Sequence, residues 1–416
     1  MKLLTFLGTN AYYSTNYVWQ DQGKQTEYVA AALAEFFPVE TIQVFLTAEA
    51  RAKHWQAFQK AVPQAKDIDI PSGQSEDELW QIFEAVVNSV EPGETIILDV
   101  THSFRSIPLF VFLAGIYLQK AQNVKIAGVY YGAYERDRER SPIFDLTPTL
   151  KFAEWLTATD KFLNTGSAKE LGQLLSTIQQ DFYRQGRQNQ EPIAPKALRQ
   201  FGDRIQAISD SIELVRPLKL MEETARLERI PNETLKTEVG MFAQPFALLL
   251  DRIQADYSQF ALVNPRQADA QKTLAKQFDL LRWYVDKSLS TQVILLSREW
   301  VVSALCVGLG RDYLQKSERE IIEQSLTQLV EWAKDKDHNP KPIAADALGS
   351  VITNLEGLSK LWSQLRDMRN DLAHTEMRQN SLSASDMTRF VREELLTRLR
   401  ELFGEAIARS SDSGSG

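Results

Sequence analysis

At 416 residues, 44% hydrophobic and 25% charged, the chain is too apolar to be disordered and long enough for two or three domains. Its net charge of −8 argues against a broad nucleic-acid-binding surface and leaves room only for a small basic cleft. One cysteine, Cys306, and four scattered histidines, His54, His102, His338 and His374, exclude a disulfide framework and argue against a metal cluster, so no metal or cofactor is expected.

Through residue 150 the hydrophobic pattern alternates between two periods. Strands are predicted at Leu3–Leu7, Thr41–Leu46, Asp67–Ile70, Thr95–Val100, Val124–Tyr131 and Ile143–Leu146. Helices are predicted between the first five, at Thr26–Phe37, Ala50–Ala61, Glu76–Val90 and Phe104–Lys120. Strands spaced by helices imply βαβ units and a mostly parallel, doubly wound, Rossmann-like sheet. Thr95–Val100 is apolar almost throughout, as a central strand covered on both faces must be, and Pro92-Gly93 supplies the turn before it. Met1–Gly8 has no cleavage-site pattern and reads as a buried strand rather than a signal peptide.

Beyond residue 150 strand patterns nearly vanish. Leu171–Tyr183, Leu198–Ile212 and Leu274–Leu289 carry apolar residues at helical spacing. Gln185–Pro195 and Ala261–Ala270 read as connections. A last helical pair, about Val351–His374 and Ala384–Ala408, is joined by polar Met377–Ser383, with Asp386 or a nearby serine as cap. The longest apolar runs, Phe242–Leu250 and Ile107–Leu118, fall short of a membrane span, so no membrane partner and a cytoplasmic location are expected.

In an open α/β sheet, ligands sit beyond the carboxyl ends of the strands. Three segments occupy such ends: Gly8-Thr9-Asn10, Asp99–Arg105 and Tyr130–Glu135. In the second, the hydroxyls of Thr101 and Ser103, the charge of Arg105 and the amides of a helix start suit a phosphate. A His or aromatic ring nearby could stack on a base. Plain helix capping explains the same serine and threonine, and that alternative stays open. No G-x-G-x-x-G follows the first strand and no P-loop motif occurs, which argues against dinucleotide binding and P-loop ATP hydrolysis.

Leu361–His374 holds the other constellation. At 100° per residue, Leu361, Leu365, Met368 and Leu372 form a core stripe, and Arg366, Asn370 and His374 form a polar one. Arg369 lies between the stripes, and about 140° separates it from His374 on an ideal helix. A frayed end or a second copy of the helix could bring such groups together. A histidine moves protons near neutral pH, and an arginine clamps phosphate. Attack of an RNA 2′-hydroxyl on its own phosphodiester needs little else. Ordinary surface pairing and helix-dipole effects explain the same residues without chemistry.

Both constellations in one chain, in this order, resemble the CARF–HEPN ribonucleases, accessory effectors of type III CRISPR systems. The resemblance rests on Leu98-Asp99-Val100-Thr101-His102-Ser103-Phe104-Arg105 and on Arg369-Asn370-Asp371-Leu372-Ala373-His374. It implies a CARF domain at 1–150, a helical connector at 151–260, a HEPN domain at 261–409 and a tail at 410–416. It further implies a cyclic oligoadenylate activator, with tetra-adenylate preferred, and a homodimer or higher homo-oligomer. The paired HEPN domains would cleave single-stranded RNA without a metal, leaving a 2′,3′-cyclic phosphate. By position, Arg369 stabilises the phosphate, His374 exchanges protons with the 2′-hydroxyl and Asn370 supports them. Gly8, Thr9, Asn10, Thr101, His102, Ser103, Arg105, Tyr131 and Gly132 line the activator site. Arg366, Arg369 and Arg378 supply the local basicity. Two other readings remain: a sensor without nuclease activity that docks a partner, and a ring nuclease that degrades its own activator. His54 and His338 are expected at the surface.

Overall fold

The computed structural model describes residues 1–102, 107–134, 139–185, 195–334, 342–377 and 379–408. The chain divides into two compact units, Met1–Glu154 and Trp155–Gly416.

The first unit is built on an eight-stranded sheet. In chain order it contains β1 (Lys2–Leu7), β2 (Thr15–Trp19), β3 (Gln22–Thr26), α1 (Val29–Phe36), β4 (Thr41–Leu46) and α2 (Ala48–Ala61). β5 (Ala65–Asp69), α3 (Glu76–Asn88), β6 (Thr95–Asp99), α4 (Ile107–Ala121), β7 (Lys125–Gly132) and β8 (Arg140–Asp145) follow. The strand order is β3-β2-β8-β7-β6-β1-β4-β5. β1 pairs in parallel with both β4 and β6, β4 with β5, and β6 with β7. The α/β character and mostly parallel sheet expected from the alternating periods are therefore found.

Side-chain alternation along β1 sorts the core into two layers. Leu3 and Leu7 join the cluster that holds Val29, Leu33 and Phe58 of α1 and α2. Leu4 and Phe6 join the one that holds Ile82, Val86, Val111 and Leu118 of α3 and α4. Both faces of the central strands are thus covered, which is why their sequences are almost continuously apolar.

Two features depart from the sequence reading. The segment before α1 folds as an antiparallel hairpin, β2–β3, and β8 runs antiparallel to β7. The hairpin turn is Gln20-Asp21, with Gln20 at a φ of 52°, rather than the Asn-Gly pair that announces such turns. β3 is a polar edge strand, Gln22-Gly-Lys-Gln-Thr26, which suits an edge and hides from a hydrophobic pattern.

From α5 (Thr147–Thr165) onward the described chain is helical. α6 (Lys169–Gln185), α7 (Lys196–Glu213), α8 (Pro217–Glu228), α9 (Asn232–Phe242) and α10 (Gln244–Ser258) come first. α11 (Ala270–Asp286), α12 (Ser290–Gly308), α13 (Lys316–Lys334), α14 (Ile343–Gly349) and α15 (Leu355–Ala373) follow. α16 (Ala384–Phe390), a π-helical turn at Val391–Leu395 and α17 (Leu396–Ala408) close the chain. One cluster of buried side chains runs from Trp155 to Phe403 and crosses residue 260 without a break. Ser383 caps α16 by accepting from the Asp386 amide, so the serine, not the aspartate, takes that role.

α12 corrects the survey of apolar runs. It is 19 residues long and apolar enough to cross a membrane by length and composition, with 67% of that window buried in the unit. Arg298, midway along it, pairs with Glu299 and Glu323 and lies 5.0 Å from the Trp362 ring of α15. A helix packed against α11, α13, α15 and α17 is apolar on every side for the same reason a central strand is.

Candidate functional site

The sheet reverses its direction of growth between β1 and β6, the switch point where open α/β sheets bind ligands. Three strands end there, and one buried carboxyl group joins them. Asp99, fully buried at the end of β6, accepts from the Thr5 hydroxyl of β1 at 2.7 Å and from the Thr101 amide at 3.0 Å. Thr101 in turn accepts at Oγ1 from the Gly132 amide of β7 at 2.8 Å. This network fixes the floor of a cleft of about 200 Å³.

Two glycines keep the cleft open. A Cβ on Gly8 would stand 2.9 Å from the His102 carbonyl oxygen, and one on Gly132 would stand 2.3 Å from Val29 Cγ2. The loop after β1 closes on itself through Tyr12, whose hydroxyl accepts from the Gly8 amide at 2.7 Å and lies 3.2 Å from the Gly8 carbonyl. The Tyr12 ring is held edge-on by two imidazoles, His102 at 4.5 Å and His54 at 4.6 Å. Burial pushes the Tyr12 and Tyr17 phenols well above their usual value, so both stay protonated. Enclosure holds His102 below the ordinary imidazole range and His54 adds to this, while Asp99 pulls the other way. His102 thus presents a neutral ring, and its Nε2 is enclosed without a partner among the described residues. His54 is therefore part of this cluster and not the surface residue expected.

Of the residues singled out from sequence, Gly8, Asn10, Thr101, His102, Tyr131 and Gly132 line the one cleft. Thr9 is half-buried in the same loop but does not line it. Ser103 and Arg105 lie outside the described residues. The sequence reading missed Tyr12, Tyr13, Tyr17 and Glu27, which line it too. Tyr13 stacks on Tyr134 with centroids 5.9 Å apart and planes 12° from parallel. The run Tyr12-Tyr13 directly after Gly8-Thr9-Asn10 was the available signal.

In the second unit, α15 begins at Asn354, whose side chain accepts from the Gly357 amide at 2.8 Å. Leu358, Leu361, Trp362, Leu365 and Met368 bury one face, and Leu372 is half-buried. Arg369 and Asn370 are half-buried, and Arg369 has no ion-pair partner among the described residues. Arg366 meets Asp367 at 3.4 Å. Arg378 lies outside the described residues, as does His338.

The helix stops at His374, an exposed C-cap. The next two residues, Thr375 and Glu376, take left-handed φ values of 47° and 66°. The Thr375 amide donates to the Leu372 carbonyl and the Glu376 amide to that of Asp371, at 3.2 and 3.4 Å. This is a Schellman ending with threonine where glycine is the usual residue. A β-branched residue is strained there, and such strain concentrates at functional sites. His374 thus sits at a helix end.

A family model described as "CRISPR-associated protein MJ1674, second domain" matches residues 151–265. CRISPR-associated protein MJ1674 of Methanocaldococcus jannaschii is 24% identical over 326 residues, which cover 76% of this chain. The chain is thus similar to CRISPR-associated proteins. The resemblance expected from the two motifs is thereby borne out. The aligned region spans 43% of that curated relative's length. Among solved structures, Enterococcus italicus Csm6 bound to cyclic hexa-2′-fluoro-hexa-dAMP aligns over 99% of this chain and 97% of that one. The TM-score is 0.42 and the identity 9%.

Proposed function

We propose that this protein is a CRISPR-associated effector of type III systems, a cyclic-oligoadenylate-activated endoribonuclease that works as a homodimer. The N-terminal cleft takes the activator, and α15 with its counterpart from a second copy cleaves single-stranded RNA. The observation that carries the reading is the end of α15. An arginine without an ion-pair partner among the described residues and an exposed histidine at a strained helix end supply a phosphate clamp and a proton carrier. In the proposed step the RNA 2′-oxygen bonds to the adjacent phosphorus and the bond to the 5′-oxygen breaks. The proton lost by the 2′-hydroxyl is made good at the 5′-oxygen, leaving a 2′,3′-cyclic phosphate and a 5′-hydroxyl. Arg369 balances the charge on the phosphoryl oxygens, His374 carries the proton and Asn370 holds the strand. No metal takes part in this scheme.

A cleft of about 200 Å³ takes one nucleotide of a ring, not the whole ring, which supports a cradle shared by two copies. A face for the second copy is available. Leu109, Leu113 and Tyr117 stand exposed at helical spacing along α4, beside exposed Trp80.

The test is cleavage of a fluorogenic RNA in EDTA, with no activator, cyclic tetra-adenylate or cyclic hexa-adenylate, on wild type and His374→Ala. Cleavage with one ring, tetra-adenylate by preference, and a loss of about 100-fold or more in the variant is the expected result. Equal cleavage by His374→Ala overturns the assignment of His374. A dimer that binds a ring and cleaves nothing is a sensor whose helical unit docks a partner.

A further inference from the structure

A second cavity, about 340 Å³, opens in the helical unit between the start of α8, α11, α12 and the turn before α13. Four of its lining residues are cations: Arg216, Lys219, Arg266 and Arg319. Arg216 and Arg266 are exposed and make no ion pair among the described residues. Lys219 shares the buried Glu223 with Arg204 and Arg226 and reaches Glu222 only at 3.9 Å. The lining carboxylate, Glu299, meets both Arg298 and Arg319 at 2.5 Å. The cavity is therefore net positive in a chain whose charge is −8.

Its backbone is arranged for an anion as well. α8 starts with Pro217, which has no amide hydrogen, and Arg216 before it offers no side-chain cap. The Leu218 and Lys219 amides donate to no protein group among the described residues. The chain reaches this start through Val215, at a φ of 51°, in another Schellman ending. The Val215 amide donates to Ile212 at 3.2 Å and the Arg216 amide to Ser211 at 2.7 Å. An independent observation points to a polar ligand. Gln277, only 5% exposed, lines the cavity, and its carboxamide has no hydrogen-bond partner among the described residues. Its carboxamide opens onto the cavity and is free to pair with a ligand there. Leu296, Leu314 and Pro217 form an apolar wall beside it.

We propose that this cavity binds a nucleoside phosphate of mononucleotide size. The phosphate lies at the start of α8 among Arg216, Lys219 and Arg266, the base lies on the leucine wall, and Gln277 pairs with its polar edge. This site is separate from the N-terminal cleft and from His374, and it stands whether or not the protein cleaves RNA.

The test is titration calorimetry of the full chain with AMP and with inorganic phosphate at low salt. Arg216→Glu and Arg266→Glu change exposed side chains and leave the core intact; Tyr131→Ala serves as the control for the N-terminal cleft. AMP is expected to bind with a Kd below ~1 mM, and each charge reversal to weaken it tenfold or more. Tyr131→Ala leaves the binding that the charge reversals remove unchanged, and phosphate binds more weakly than AMP. No binding of AMP, equal binding by both charge reversals, loss in Tyr131→Ala instead, or phosphate binding as tightly as AMP would each overturn the proposal.

Discussion

Replacing Gly8 by alanine sets a methyl carbon 2.9 Å from the backbone carbonyl oxygen of His102, where ordinary contact begins at 3.4 Å. The two loops must part by the difference, about 0.5 Å, and neither is free to do so. Gly8 is tied at both its amide and its carbonyl to the Tyr12 hydroxyl, at 2.7 and 3.2 Å. Thr101, next to His102, is tied to Asp99 and to Gly132, at 3.0 and 2.8 Å. Overpacking against fixed backbone costs about 1–3 kcal/mol. Urea unfolding of Gly8→Ala, followed by tryptophan fluorescence, is expected to show a loss of that size. Gly240→Ala, on an exposed turn of α9 with nothing within 4 Å of the added carbon, is expected to gain about 0.5–1 kcal/mol in the same assay. The separation also moves the rim of the cleft, so affinity for cyclic tetra-adenylate falls roughly tenfold, or ~1.4 kcal/mol. If Gly8→Ala unfolds within ~0.5 kcal/mol of wild type, the close approach is not what requires glycine at this position.

Two further perturbations probe one unit each. Thr375→Gly relieves a left-handed threonine, and thermal unfolding is expected to show a gain of about 1 kcal/mol or less while RNA cleavage falls, because the turn that orients His374 loosens. A destabilised Thr375→Gly protein contradicts the strain argument. His102 titrates below its ordinary value of 6.5 in the fold, so the unfolded chain takes up its proton first. Its contribution is whole above about pH 6.5 and is lost as pH falls through the lowered folded value. Stability measured from pH 7 to 5 is therefore expected to drop less steeply in His102→Gln, and equal slopes refute the assignment.

The central strands were legible because burial on both faces leaves β1 and β6 almost continuously apolar. The β2–β3 hairpin was not, since a polar edge strand and a Gln-Asp turn carry none of the usual marks. α12 was passed over because Arg298 and Glu299 break its apolar run, and only the fold shows Arg298 paired to Glu323 and stacked on Trp362. In the cleft, Gly8, Thr101 and Gly132 could be read from strand ends alone. Tyr12 was signalled only by its place just after that strand end, and its part depends on the chain doubling back to Gly8. His54 could not be read so, since it arrives from α2, and no spacing rule links it to His102. At the other end, helical periodicity placed Arg369 and Asn370 beside the core stripe, but the left-handed pair at Thr375 and Glu376 has no glycine to announce it.

Thr5, Asp99 and Thr101 have a consequence for how this chain can change over time. Each satisfies a group on a different segment; Thr5 and Asp99 are held at zero solvent exposure and Thr101 is half-buried beside them. Substituting Asp99 alone leaves the Thr5 hydroxyl and the Thr101 amide unmatched, and substituting Thr5 alone leaves a carboxyl oxygen so, at a cost of roughly 1–3 kcal/mol each. Single steps away from this trio are uphill, whereas replacing both partners of a pair together can be nearly level. The trio therefore behaves as one inherited character: lineages descended from this sequence keep it whole or exchange it whole, and the opening of the cleft travels with it.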